Sequence, residues 1–243
     1  MKFKINTLFP FVAIASLFLC VTSCDKDDDP TPPTPTEDER IYKKAENPLG
    51  QTVKQWAEEW QIFTLSQSCD EAKTLSAFTI PGQDQLMLFL KGTELVQGNA
   101  NINMQHGQSL FVPVVMAFYS TPTCSHYTYQ IQSGQDPRNF LTATVGEILD
   151  GTREQFLKID GTDVINLNSY QYQTDMLNLI PNSTLQNCST VFKCFPEGNL
   201  QVMTKGYFVV IKPLPIGSHT ITFHSKNILF NMEFTSTLNI TVI

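Results

Sequence analysis

The C-terminal part of the chain alternates between apolar and polar residues with a period of two. In the last segment, one parity holds Phe234, Leu238, Ile240 and Val242, and the other holds Thr235, Thr237, Asn239 and Thr241. Successive side chains of a β-strand point to opposite faces of its sheet, so this pattern predicts a strand with one buried and one solvated face. The preceding segment repeats the pattern, because Ile221 and Phe223 alternate with polar residues after a turn at 213–217. Together the two segments predict an antiparallel sheet whose outer face meets water.

Further segments rich in β-branched and aromatic residues are also predicted as strands. They span residues 86–90, 99–104, 110–119, 127–131, 201–203 and 207–211. The last of these is apolar on both faces, which is typical of a central strand. Asp160-Gly161, which lies between Leu157 and Ile165, predicts a tight hairpin turn.

Two segments have helical periodicity instead. In the first, Thr52 and Gln55 form a capping-box pattern that opens an amphipathic helix. Its apolar face carries Val53, Trp56, Trp60 and Phe63. Two tryptophans one turn apart could stack on a sugar, but such a stripe on an amphipathic helix more often packs into a sheet.

The second helix is predicted between Phe140 and Phe156, with Glu147, Asp150 and Glu154 along its polar face. Gly151 weakens the prediction at the helix centre. The fold class that follows is all-β or β-rich α+β. We expect an antiparallel, jelly-roll-like β-sandwich over residues 41–243, with one N-terminal amphipathic helix and one helix inserted between strands.

The N-terminus has the pattern of a bacterial lipoprotein signal peptide. Lys2 and Lys4 precede an apolar run from Leu8 to Leu19, which is too short to span a bilayer. The sequence Val-Thr-Ser-Cys ending at Cys24 is similar to a lipobox, in which the cysteine thiol accepts the lipid. We therefore predict a signal peptide over 1–23 and lipidation of Cys24.

A polar linker follows the predicted lipidation site over residues 24–40. Acidic residues at 25–29 precede four prolines between Pro30 and Pro35, a composition that predicts an extended tether and not part of a core. The acidic cluster resembles the signal that sends lipoproteins of Bacteroidota to the cell surface. We expect a protein of the outer membrane, anchored by its N-terminal lipid and exposed at the cell surface.

Net charge excludes one class of partner. The chain has 16 basic and 23 acidic residues, and cleavage removes Lys2 and Lys4 but no acid, so the net charge changes from −7 to −9. Such a surface repels nucleic acid, and no nucleic-acid partner is expected.

Four cysteines remain beyond Cys24 in the predicted mature chain. Because exported proteins fold in an oxidising compartment, we predict two disulfides, Cys188–Cys194 and Cys69–Cys124, among three possible pairings. The alternative is a reactive thiol at Cys124, with His126 two residues away as its base.

Two tyrosine pairs are the candidate ligand-binding residues. Tyr127 and Tyr129 are expected on one strand face, as are Tyr170 and Tyr172. Such pairs can stack on a sugar ring, although packing against a neighbouring strand is the commoner role.

Motifs for catalysis are absent from the sequence. There is no Gly-x-Ser-x-Gly elbow, no His-Glu-x-x-His and no phosphate-binding loop. His219 and His224 are an odd number of residues apart on one strand, so they face opposite sides and cannot share a metal. We predict no catalytic residue, no metal site and no cofactor.

Several blocks of sequence resemble a family of exported bacterial β-sandwich proteins whose chemistry is unassigned. The blocks are Gly50 to Trp60, Leu88 to Thr93, His106 to Pro113, Ile159-Asp160-Gly161 and Gly206 to Phe223. The resemblance implies a sandwich fold and export but no activity. The function expected is binding of an extracellular glycan or protein. The alternatives are a hydrolase of glycans or esters with a site assembled from distant residues, and a structural or adhesive part of an outer-membrane complex. The oligomeric state is left open.

Overall fold

A computed structural model describes residues 38–72, 75–79, 86–91, 98–123, 127–187 and 198–243. Two β-sheets pack face to face in this part of the chain, and helices pack against the first of them. The helices are α1 (Val53–Ser66), α2 (Cys69–Ala72) and α3 (Pro137–Asp150). None of the helices in the described residues is long and apolar enough to cross a membrane.

The strands form two mixed sheets. In chain order they are β1 (Ser76–Phe78), β2 (Met87–Lys91), β3 (Gly98–Met104), β4 (Ser109–Thr121), β5 (Thr152–Ile159), β6 (Thr162–Asp163), β7 (Gln171–Gln173), β8 (Leu177–Leu179), β9 (Leu200–Ile211), β10 (Gly217–Asn227) and β11 (Met232–Val242). The first sheet has the order β1-β2-β4-β9-β7 with β8 also beside β9, and the second has the order β3-β11-β10-β5-β6. The predicted β-rich sandwich with an N-terminal and an inserted helix is confirmed. Most pairs are antiparallel, but β2 runs parallel to β4 and β3 runs parallel to β11.

The C-terminal hairpin follows the alternation of the sequence. Strands β10 and β11 pair antiparallel along their whole length, from Gly217 opposite Val242 to Asn227 opposite Met232. On the apolar side of β11, Leu238, Ile240 and Val242 are buried and Phe234 is half-buried, and the threonine side is more exposed. Asp160-Gly161 makes the predicted turn between β5 and β6, with both residues at positive φ.

Helix α1 covers the outer face of the first sheet. The Thr52 hydroxyl accepts from the N–H of Gln55 and the Gln55 side chain accepts from the N–H of Thr52, which confirms the capping box. Trp56 and Trp60 are buried against β2, β4 and β9, and their indole N–H groups donate to the carbonyls of Pro48 and Leu90. The tryptophan stripe is therefore part of the core.

Helix α3 is shorter than predicted. It runs from Pro137 to Asp150, and the side chain of the preceding residue, Asp136, caps it by accepting from the N–H of Asn139. Phe156, which we placed on the helix, lies on β5 and pairs with His224 of β10. The strand pairing begins at Thr152 opposite Asn227, so tertiary pairing overrides the apolar helical spacing beyond Gly151.

The strand predicted at 127–131 does not form. The segment bends, and its main chain bonds to side chains and not to a neighbouring strand. The hydroxyl of Tyr119 accepts from the N–H of Tyr129 and donates to its carbonyl, and the Thr123 hydroxyl accepts from the N–H of Ile131. Aromatic residues spaced by two match a strand in sequence, but a strand also needs a partner.

The two short strands predicted at 201–203 and 207–211 are one strand, β9. Gly206 lies at the join and packs directly against β4, since a Cβ built there would lie 2.5 Å from the carbonyl oxygen of Val115. This close contact lets β9 pair with β4 continuously from one end of the first sheet to the other, apart from a bulge near Val114.

The main core lies between the two sheets. Its largest contributions come from the inward faces of β4, β9, β10 and β11, together with the apolar side of α3. At one end of the sandwich the chain enters through Asp38 and Arg40, whose side chains form an ion pair. Arg40 also donates to the carbonyl of Ile159 at 2.8 Å, which attaches the entering segment to the β5–β6 hairpin.

Candidate functional site

A pocket of about 410 Å³ opens between the sheets at the other end of the sandwich. Its walls come from β4, the 127–129 segment, the last turn of α3, and the adjoining parts of β5, β10 and β11. Because Thr152 and Asn227 line it, the pocket lies at the opposite end of β5 and β10 from the Asp160 turn. Pockets of this size commonly hold small ligands.

Small side chains leave this space in the core. Along the inward face of β10, Ile221 and Phe223 are followed by Ser225, and on β11 Ser236 lies directly opposite Phe223. On the facing strand, Ala117 takes the inward position. Where these positions hold Leu, Ile or Val, the side chains fill the space between the sheets. Where they hold Ser or Ala, the smaller side chains leave a pocket.

Aromatic rings dominate the pocket walls. The rings that line it are Tyr119, Tyr127, Tyr129, Phe230 and Phe234. Polar groups among them come from Ser120, Thr128, Thr152, Ser225 and Asn227. Among the described residues that line the pocket, none carries a charged side chain. An uncharged ligand with apolar faces and a few hydrogen-bonding groups suits this lining.

Tyr119 organises the tyrosine wall. Its ring centroid lies 5.4 Å from that of Tyr127 and 5.9 Å from that of Tyr129. Its hydroxyl is held by both main-chain groups of Tyr129. Burial raises the pKa of Tyr119 to about 12, so the phenol stays neutral and keeps both hydrogen bonds at physiological pH.

The last turn of α3 bonds to two of the segments that line the pocket. On one side, Glu147 accepts from the Tyr129 hydroxyl at 3.0 Å. Burial, and then the Glu147 carboxylate, raise the pKa of Tyr129. On the other side, the Asn227 amide donates to the carbonyl of Ile148 at 2.8 Å. Ile148 itself lines the pocket between them.

The predicted tyrosine pairs have different outcomes. The structure brings Tyr127 and Tyr129 together in the pocket, although on a bent segment and not on a strand. Tyr170 is buried in the main core with 2% of its surface exposed, and Tyr172 lies on β7 beneath Lys44. Neither of these two lines the pocket.

Sequence reasoning did not identify Phe230, Asn227 or Ile148 as site residues. They come from two segments that are distant in sequence and meet only because β10 pairs with β5. The one signal available was the change from large apolar residues to Ser225 and Ser236 on the inward parity of two strands.

Of the cysteines with predicted roles, the structure describes Cys69. Cys69 is a buried free thiol that begins α2, and its N–H donates to the Thr184 hydroxyl. Cys24, Cys124, Cys188 and Cys194 lie outside the described residues, as does His126. Because Cys69 is a free thiol, the predicted Cys69–Cys124 disulfide is not formed in the structure. The Cys188–Cys194 disulfide, the reactive-thiol alternative at Cys124 and the lipidation of Cys24 stay predictions.

His219 and His224 lie on opposite faces of β10, as predicted. His219 bonds to Asp160 and to the carbonyl of Pro215. His224 stacks on Phe156 with centroids 5.0 Å apart and bonds to the hydroxyl of Thr235. Both rings are thus engaged in contacts within the sandwich and stand apart from the pocket lining.

Comparison of the chain with protein-family models, with curated proteins and with solved structures finds no match. The resemblance to exported sandwich proteins therefore stays a prediction from sequence blocks. The pocket is the structural feature that bears on function.

Proposed function

We propose that this protein is a lipid-anchored protein of the outer membrane whose sandwich domain binds an extracellular glycan. One observation carries the proposal: an aromatic pocket of about 410 Å³ that contains the tyrosine pair Tyr127 and Tyr129. A sugar ring has apolar C–H faces that stack on aromatic rings and hydroxyl edges that bond to groups such as Ser225 and Asn227.

The shape of the site favours a glycan over a protein ligand. Protein partners usually bury about 800 Å² on each side of a broad surface, whereas a pocket between two sheets admits one or two sugar units. The described lining also favours binding over hydrolysis, because none of its residues carries a carboxylate, imidazole or thiol, and the adjacent Glu147 carboxylate already accepts from the Tyr129 hydroxyl.

A glycan array probed with the full chain tests the proposal, followed by calorimetric titration of the sugars that bind. The Tyr127→Ala variant should raise the Kd about tenfold or more, since a truncated aromatic anchor typically costs this much. Tyr172→Ala removes the same group from the other predicted pair and should leave the Kd unchanged. Equal effects of the two variants would argue against a site in this pocket.

Anchoring is tested separately at Cys24. A Cys24→Ala variant should lose lipid labelling and leave the membrane fraction, because no other thiol occupies the lipobox position. The sandwich should still fold, which circular dichroism can check. Lipid labelling that persists in this variant would refute the anchor.

A further inference from the structure

The turn between β10 and β11 exposes three large apolar side chains in succession. Ile228, Leu229 and Phe230 are 55%, 50% and 39% exposed. Consecutive exposed apolar residues are uncommon on a soluble surface unless they meet a ligand, a partner or a membrane. We refer to these three residues as the apolar tip.

The apolar tip is held in position by the end of α3. The Asn227 side-chain oxygen accepts from the N–H groups of Leu229 and Phe230, at 3.0 and 3.2 Å. The N–H of Ile228 donates to the carbonyl of Gly151, and the Leu229 side chain packs so closely on Gly151 that a Cβ there would clash with it. The fold therefore fixes these side chains at the surface, although exposing apolar groups to water is unfavourable.

The apolar tip is continuous with the pocket. Phe230 belongs to both, and Asn227, which holds the tip, also lines the pocket. A ligand that fills the pocket and extends beyond Phe230 therefore reaches the neighbouring side chains of the tip. The atoms that emerge there meet apolar surface.

The cationic side chains of Lys226 and Arg153, near the tip, already have partners within the protein. Lys226, the nearest cation on β10, lies 3.8 Å from Glu154 and 3.6 Å from Glu233. Arg153 donates to the carbonyls of Asp150 and Thr152. These contacts, together with the uncharged lining of the described pocket, favour a ligand without a phosphate or carboxylate.

We propose that the ligand is a neutral amphiphile of the glycolipid type, with its sugar in the pocket and its alkyl chain lying across the apolar tip. The proposal rests on the pocket binding a glycan and adds the alkyl chain to it. Burial of Ile228 and Leu229 beneath the chain is the source of the extra affinity.

Three uncharged probes separate the two parts of this ligand. Octyl β-D-glucoside has both sugar and chain, methyl β-D-glucoside has the sugar alone, and tetraethylene glycol monooctyl ether has the chain alone. Each is titrated calorimetrically, below its critical micelle concentration, into the full chain carrying Cys24→Ser. The corresponding octyl and methyl galactosides are titrated in parallel, so that the result does not depend on one sugar.

For the sugar that binds, the octyl glycoside should bind about tenfold or more tightly than the methyl glycoside, because several methylene groups leave water on the tip. We call the ratio of the methyl-glycoside Kd to the octyl-glycoside Kd the affinity gap. In the variant Ile228→Ser with Leu229→Ser this gap should fall to about twofold or less, because the apolar surface that covers the methylene groups is removed. The control variant, Ile180→Ser with Ile216→Ser, changes two other exposed isoleucines, which are 69% and 71% exposed, and should keep the gap.

The outcomes distinguish this inference from the proposed function. If octyl and methyl glycosides bind equally, the apolar tip does not take the chain, but the glycan pocket stands. If the octyl ether binds as tightly as the octyl glycosides, the sugar is not recognised and glycan binding itself fails. Loss of the gap in the control variant as well would show that general surface hydrophobicity, and not the tip, accounts for it.

Discussion

The imidazole of His219 and the carboxylate of Asp160 lie 2.8 Å apart, at the end of the sandwich where the chain enters. The other ring nitrogen of His219 lies 2.9 Å from the carbonyl oxygen of Pro215. Both partners are acceptors, so both ring nitrogens must carry a proton to satisfy them. The geometry therefore favours the imidazolium form, and these contacts join the β5–β6 turn to the start of β10.

The two pKa shifts of this pair have opposite signs. The hydrogen bond to Asp160 raises the pKa of His219 from its ordinary value of 6.5, against the effect of burial. Burial opposes the change in Asp160, but the hydrogen bonds from His219 and from the N–H of Thr220 lower its pKa from 3.8. Folding therefore favours the charged form of each group.

Stability should depend on pH accordingly. The His219 contribution is complete below about pH 6.5 and is lost as pH rises through its higher folded-state pKa. The Asp160 contribution is complete above about pH 4 and is lost as pH falls through its lower folded-state pKa. We expect the urea concentration at the midpoint of unfolding to decline as pH rises above about 6.5, when measured at fixed ionic strength. A His219→Gln variant should remove most of that decline, and an equal decline in the variant would assign it to another group.

Replacing Tyr119 by phenylalanine should loosen the tyrosine wall. The change leaves the N–H and the carbonyl of Tyr129 without their hydroxyl partner, which costs about 1–2 kcal/mol of unfolding free energy. Hydrogen exchange of residues 127–131 should become faster at the same time. Tyr172→Phe is the matched control, since the Tyr172 hydroxyl is buried without a partner among the described residues and its removal should cost nothing. Slow exchange of 127–131 in Tyr119→Phe would show that the hydroxyl does not hold this segment.

An alanine at Gly206 should be poorly tolerated. Its Cβ would lie 2.5 Å from the Val115 carbonyl oxygen and 2.8 Å from the Met116 Cβ, so strand β4 must shift at the pocket wall. We expect a loss of about 2–3 kcal/mol in unfolding free energy, together with weaker ligand binding. Gly146→Ala has room in α3, where the nearest atom is 3.8 Å away, and should stabilise by about 0.5–1 kcal/mol. Denaturant titration measures the unfolding free energy of both variants. Equal changes in Gly206→Ala and Gly146→Ala would contradict this prediction.

Gln61 should be replaceable by leucine with a gain. It is buried on α1, and neither its amide oxygen nor its amide nitrogen has a hydrogen-bond partner in the described part of the chain. An apolar group of similar size removes this desolvation cost, so Gln61→Leu should raise the unfolding free energy by roughly 1 kcal/mol. Thermal unfolding measures it, and a lower Tm would mean that the amide is bonded after all.

Sequence patterns predicted the elements that depend on local periodicity and local hydrogen bonds. The β10–β11 hairpin follows from alternation, because a register slip of one residue would turn its apolar parity to water. The Thr52 capping box follows from residues three apart. The predictions for Phe156 and for the 127–131 segment were wrong for a shared reason. In both places the structure depends on which distant strand is available to pair, and a local pattern does not contain that information.

The candidate site was half accessible from sequence. Tyr127 and Tyr129 were found because two tyrosines spaced by two attract notice whatever the backbone does. Phe230 and Asn227 were not, since a residue at a hairpin tip becomes part of a pocket only when another element meets it. The serines at 225 and 236 show how such a site could be sought, by looking for small residues on the buried parity of paired strands.

The place where the chain enters the sandwich has a practical consequence for orientation. Asp38 and Arg40 attach beside the Asp160 turn. On β10, His219 contacts Asp160, and Asn227, eight residues further along the strand, lines the pocket. At the usual rise of a strand the two residues are about 26 Å apart. A sensor chip or bead coupled through the residues before Asp38 would hold the domain by the end remote from the pocket. Immobilisation on that side should leave the mouth unobstructed, whereas coupling through a lysine such as Lys226 would crowd it.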